Sequence, residues 1–188
     1  IRQVLGSKKH HPHGALSLMI LEDGPLFIAD THCRVLPSPE EIAETAIGAA
    51  RHVGRFGLQP NIAFCSQSQF GNQSDGSGKR LRDAMEILDA QGHDFCYEGE
   101  MNVDAALDEE LRNRLFPGNR MQGAANVLIF GHADAASATR NILKMKGGGL
   151  EVGPILMGMG NRAHIVTPSI TARGLLNMAA IAGTPVDH

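Results

Sequence analysis

This 188-residue sequence predicts an α/β fold, a mostly parallel sheet layered between helices in an αβα arrangement. Three observations carry that expectation. Short apolar runs such as "NIAFCS", "NVLIF" and "VGPILMGM" alternate with stretches whose apolar residues recur at helical spacing. The composition, 43% hydrophobic and 20% charged, is ordinary for a soluble globular chain. Twenty-two glycines stand against one tyrosine and no tryptophan, and glycine-rich α/β proteins bring backbone close to ligands at strand ends.

The elements follow in order. Residues 1–14 read as an arm before the first strand, and residues 15–188 as one domain. Apolar runs at 15–21 and 26–30 flank "EDGP", whose Asp-Gly pair suits a tight turn, so a β-hairpin is expected. In "LPSPEEIAETAIGAARHVGRFG", Ser38 is the expected N-cap, Pro39 the first helical residue and Glu41 the partner in a capping box. Ile42, Ala46, Ala50 and Val53 form the apolar face of this helix, and Gly54 and Gly57 end it. Next come a strand at 61–65, a helix at 80–90, a strand in "FCYEGEM", a helix at 103–116, and a strand in "NVLIF". A helix in "DAASATRNILKMK" then ends at glycines 147–149, followed by strands in "VGPILMGM" and "HIVTP" and a last helix at 170–181.

Composition also excludes some functions. A formal charge of −3 leaves no basic footprint for nucleic acid. No apolar run approaches a membrane span, and no leader pattern suggests secretion. Cys33, Cys65 and Cys96 are odd in number and far apart, which argues against a disulfide framework and for a reducing cytoplasm. The chain opens at Ile1 without methionine and reads as a portion of something longer.

Several clusters carry potential chemistry. His10, His11 and His13 in "KKHHPHG" fit a solvated arm better than a metal site, since Pro12 blocks a helix and no carboxylate stands among them. "CSQSQFGNQSDGSGKR" offers hydroxyls and glycines at a strand-to-helix junction, where phosphate can bind. Its "GSGK" fails as a nucleotide P-loop: Gln73 occupies the first glycine position and Arg80 follows the lysine. Glu98, Glu100 and Asp104 fit caps or solvated carboxylates rather than an acid/base pair, and Asp104 suits a helix start. "GPILMGMG" is too short a glycine pattern for a dinucleotide fingerprint. "HIVTPSITARG" could deliver polar groups to a helix N-terminus, an anion-holding arrangement.

Taken in order, "LFIADTHCRVLPSPEEIAETAIGAAR", "FCSQSQFG", "YEGEMNVDAAL", "GAANVLIFGHADAA", "VGPILMGMGNRAHIVTPS" and "LLNMAAIA" resemble the phosphate acetyl/butyryl transferase family. Within it they look most like the C-terminal domain of the large NADP-dependent malic enzymes. The resemblance implies an isocitrate-dehydrogenase-like, phosphotransacetylase fold of two lobes, here with the N-terminal lobe largely missing. It implies acetyl-CoA or CoA as ligand, with Ser66, Ser68, Phe70, Gly71, Gly158, Met159, Thr167 and Ser169 as candidate binding residues.

Active members carry a Ser-Arg pair and, a few residues later, an aspartate. Arginine neutralises phosphate and the carboxylate helps remove the thiol proton. Here those positions are Thr167, Pro168 and Gly174, so the expectation is a non-catalytic, acyl-CoA-sensing regulatory or oligomerisation domain. The alternative is an active phosphate acyltransferase that uses Arg162 or Arg173 instead. By the same resemblance, a malic-enzyme catalytic domain in the same chain would use NADP and a divalent metal. The domain would form a homodimer or larger assembly, with the helices at 74–90 and 134–146 as candidate surfaces.

Overall fold

A computed structural model of the chain describes residues 13–72, 74, 76–158, 163–168 and 170–184. The arm at 1–12, with His10 and His11, lies outside the described residues, as do Met159, Arg162 and Ser169.

The chain builds a hairpin first. Strand β1 (Gly14–Leu21) pairs antiparallel with β2 (Gly24–Ala29), with Leu16 opposite Ala29 and Leu21 opposite Gly24. Gly24 turns the chain at φ 124°, a conformation that only glycine adopts cheaply. Helix α1 (Pro39–Arg55) begins with the expected capping box: Glu41 N donates to Ser38 Oγ at 3.3 Å and Ser38 N to Glu41 Oε2 at 3.0 Å. Strand β3 (Asn61–Cys65), helix α2 (Gly76–Gln91), strand β4 (Cys96–Met101), helices α3 (Val103–Leu107) and α4 (Glu109–Leu115), strand β5 (Val127–Phe130), helix α5 (Ala133–Lys146), strand β6 (Leu150–Met157) and helix α6 (Ala172–Gly183) complete it.

Among the described residues six strands form one sheet in the order β4-β3-β5-β2-β1-β6. β2, β5, β3 and β4 pair in parallel, and β1 runs antiparallel to both its neighbours. The sheet is therefore mostly parallel, as expected. β3 and β5 are nearly continuous apolar runs because helices cover both faces of a parallel sheet. One core layer joins Leu16, Phe27 and Phe64 to α1, α2 and Met178 of α6. The other joins Met19, Ile28 and Leu128 to α3 and Ala136 of α5. Alanines 43, 46 and 49 of α1 are buried, and their small side chains let that helix lie close on the sheet. Arg112 is fully buried, and its donors reach Gly123 O at 2.7 Å, Ala105 O at 3.1 Å and Asn119 Oδ1 at 3.0 Å. A cation so enclosed is tolerated because its donors are satisfied.

Four expectations need correction. Residues 164–166 are not a strand. The outer side of β6 carries Pro154, which has no N–H, and a bulge where Leu16 faces Ile155 but Leu18 faces Val152. The outward N–H of Leu156 is instead taken by the ring of His164, at 3.0 Å. The helix expected over 103–116 is two helices, since Asp108 is extended and turns its carboxylate to Leu111 N at 3.0 Å. α2 begins at Gly76 rather than Arg80, so "GSGK" forms its first turn. α6 begins at Ala172, two residues later than expected, because Thr171 caps it by accepting from Gly174 N at 3.0 Å.

Candidate functional site

The parallel strands put their carboxyl ends on one edge of the sheet, where α/β proteins hold ligands. The 66–71 loop leaves β3 there, and it is pinned. Ser66 N donates to Met101 O at 2.9 Å and Phe70 N to Glu100 O at 2.7 Å, folding the loop back over the end of β4. Glu100 is fully buried, and one of its oxygens, Oε1, accepts from Ser68 Oγ, from Gly71 N at 3.1 Å and from Arg82 of α2 at 2.6 Å. Among the described residues its other oxygen has no hydrogen-bond partner.

A solvated or capping carboxylate was expected at Glu98 and Glu100; both are buried instead. Glu98 receives Gly99 N at 2.9 Å and Arg120 N at 2.7 Å. Asp104 does lie in the first turn of α3 and accepts from Ala105 N at 2.8 Å.

Sequence detail explains the tightness of this latch. A Cβ on Gly78 would come within 2.8 Å of the Ser68 Cβ, so only glycine lets α2 approach the loop so closely. Phe70 takes φ 48° and stacks on Phe116 with ring centroids 4.5 Å apart. Ser66 Oγ lies 3.3 Å from Ser77 Oγ at the start of α2. Ser66, Ser68, Phe70 and Gly71 thus form one unit; Ser68 is buried within it, while Ser66 and Gly71 reach its surface.

Thr167, Pro168 and Gly174 lie elsewhere. Thr167 and Gly174 face a groove of about 380 Å³ along the outer edge of β6, between α5 on one side and α6 on the other. Gly158, at φ 78°, follows the end of β6. Ile170 N donates to Thr167 O at 3.1 Å, which turns the chain into α6. A Cβ on Gly174 would meet Ile170 Cγ1 at 2.9 Å. Arg173, one of the proposed substitutes, is on the exposed side of α6.

The groove also contains residues that sequence reasoning missed. Arg140 and Lys144, one turn apart on α5, both reach Glu151 of β6: Arg140 to Oε1 at 3.2 Å and Lys144 to Oε2 at 3.0 Å. His32 lies at the rim, with Nε2 3.0 Å from Arg140 and Nδ1 2.8 Å from Thr31 Oγ1. Burial, then the Arg140 charge, hold its pKa below the ordinary 6.5. The i, i+4 spacing of Arg140 and Lys144 was the signal available in the sequence.

Cys33 is held up at about 11, chiefly by burial and then by Asp30, which argues against a reactive thiol. All three cysteines are free. Among the described residues no cluster of His, Cys, Asp and Glu is arranged to hold a metal, and no helix is long and apolar enough to cross a membrane.

The comparisons with known proteins agree with this architecture. The chain is 39% identical to an NAD-dependent malic enzyme of Rhizobium meliloti, over all of this chain and 24% of that protein. It is 39% identical to an NADP-dependent malic enzyme of Salmonella typhimurium, over 92% of this chain and 23% of that one. The chain therefore spans about a quarter of the length of these curated relatives. Among solved structures it is similar to a phosphotransacetylase from Streptococcus pyogenes, with TM-score 0.88 and 25% identity over 97% of this chain and 56% of that one. A family model described as Phosphate acetyl/butaryl transferase matches residues 1–183. With that match spanning nearly the whole sequence on a phosphotransacetylase-like sheet, the chain belongs to the phosphate acetyl/butyryl transferase family.

Proposed function

We propose that this chain is an acyl-CoA-sensing domain, without acyl transfer of its own, within a larger cytoplasmic malic enzyme. The malic-enzyme context is supported by relatives about four times as long, named for NAD in one case and NADP in another. In that context the parent would decarboxylate malate to pyruvate with a nicotinamide cofactor and a divalent metal held in its catalytic part. The domain would act on it through contacts in a homodimer or larger assembly. Acetyl-CoA or CoA would lie along the β6 edge of the sheet, in the groove beside Thr167 and Gly174.

The observation that carries the non-catalytic reading is the turn into α6. Acyl transfer to the CoA thiol needs a cation for phosphate and a base for the thiol proton. Pro168 supplies no cation, and Gly174 no carboxylate. The space a side chain at 174 would enter is taken by Ile170, 2.9 Å from the Cβ position. What remains is a groove with a helix N-terminus and cations on its walls, which suits binding of an anion better than proton transfer. For binding to become regulation, the ligand must favour one arrangement of the parent over another. Such couplings are typically about 1–3 kcal/mol.

The test is turnover. The full-length protein, given CoA and acetyl phosphate, is expected to form no acetyl-CoA above the uncatalysed rate. Robust formation, lost on Arg162→Ala or Arg173→Ala, would instead establish an active phosphate acyltransferase.

A further inference from the structure

The walls of the β6 groove carry charged and titratable side chains from three segments of the chain. Arg140 and Lys144 share the two oxygens of one carboxylate, Glu151, so this wall carries one positive charge more than it neutralises. Thr171 and Gly174, the N-terminal turn of α6, line the opposite wall, where the helix dipole is positive. Two independent sources of positive potential therefore face one cavity large enough for a phosphate-bearing ligand.

His32 adds a proton-sensitive element. Arginine can only donate, so the ring nitrogen facing Arg140 at 3.0 Å must be an acceptor. The ring is thus neutral with its hydrogen on Nδ1, directed at Thr31 Oγ1 at 2.8 Å. The charged groups around it are Arg140 of α5, Glu151 of β6 and Asp30 after β2. Adding a proton to Nε2 would break the bond to Arg140 and set two cations against each other. An anion placed between them would reverse that preference.

Resting on the reading of this groove as a ligand site, we propose that Arg140, Lys144 and His32 form a proton-linked clamp for a phosphate group of the ligand. Glu151 is its internal competitor. Ligand phosphate displaces the Glu151 carboxylate from Lys144 and Arg140, and His32 takes up one proton as it does so. Binding therefore strengthens as pH falls through the neutral range, up to the limit of about tenfold per pH unit that one linked proton sets.

The experiment is calorimetry on the full-length protein with acetyl-CoA, and separately with pyrophosphate, in two buffers of different ionisation enthalpy. The clamp predicts net proton uptake near pH 7 that disappears in His32→Asn. It also predicts acetyl-CoA affinity weakened on the order of tenfold by Lys144→Gln and strengthened by a similar factor by Glu151→Gln. Lys144 is half exposed, so its variant is expected to keep the wild-type melting temperature. Acetyl-CoA binding unchanged in both variants, with no proton uptake, would overturn the clamp and leave the sensing role standing. Pyrophosphate binding that obeys the clamp, without any acetyl-CoA binding, would overturn the acyl-CoA reading instead. No heat from either ligand would overturn both.

Discussion

The 66–71 loop and the 163–171 segment both follow parallel strands of one sheet, yet they are held by different physics. The first is fastened by a buried carboxylate that gathers a hydroxyl, a backbone N–H and a guanidinium, and by a glycine contact that admits no larger residue. The second is held by the His164 ring on Leu156 N, by Ile170 N on Thr167 O, by the cap at Thr171 and by the half-buried Val166 and Ile170, with exposed Ile165, Leu175 and Leu176 around it. Rigidity at one end and a lightly held groove at the other is the distribution expected where one region keeps shape and the other responds to ligand.

The largest expected effect that tests this contrast is on the latch. Arg82→Met leaves the buried Glu100 carboxylate without its cation, and should lower stability by about 3 kcal/mol in urea unfolding. A loss near zero would mean that the loop is not fastened there. Gly78→Ala pushes a methyl group against Ser68, and is expected to cost about 1–3 kcal/mol by the same measurement. On the looser side, Thr171→Ala removes one cap and should cost only about 1 kcal/mol, with hydrogen exchange speeding up first at the start of α6.

The smallest effect is a pH dependence. Burial, then the nearby charge of Arg55, hold His164 below its ordinary 6.5. A lowered folded value means that its contribution is present in full above about 6.5 and is lost as pH falls through the folded value. His164→Asn keeps an acceptor for Leu156 N but cannot titrate, so its urea midpoint should fall less than that of the wild type on acidification. Equal slopes in the two proteins would remove His164 from the account.

Much of the fold was legible because its signals are local. The capping box at Ser38 and Glu41, the Asp-Gly turn and the apolar runs of β3 and β5 each specify structure within a few residues. The failures came where a distant partner decided the outcome. Residues 164–166 have a strand's composition, but Pro154 and the β6 bulge deny them a ladder. Glu100 and Arg82 are 18 residues apart across a helix and a strand, and nothing in either segment alone announces their pairing.

The candidate site was legible in the same uneven way. Thr167 and Gly174 line one groove. Ser66, Ser68, Phe70 and Gly71 form a separate unit of their own at the end of β3. The i, i+4 spacing of Arg140 and Lys144 is visible in the sequence, but their partners are not, because Glu151 and His32 reach Arg140 only after the sheet has formed.

The central claim is that this domain binds an acyl-CoA without transforming it, and titration of the full-length protein with acetyl-CoA in the presence of phosphate tests it most directly. The account predicts a saturable heat and acetyl-CoA recovered intact. Absence of any binding heat, or recovery of acetyl phosphate and free CoA, would contradict it.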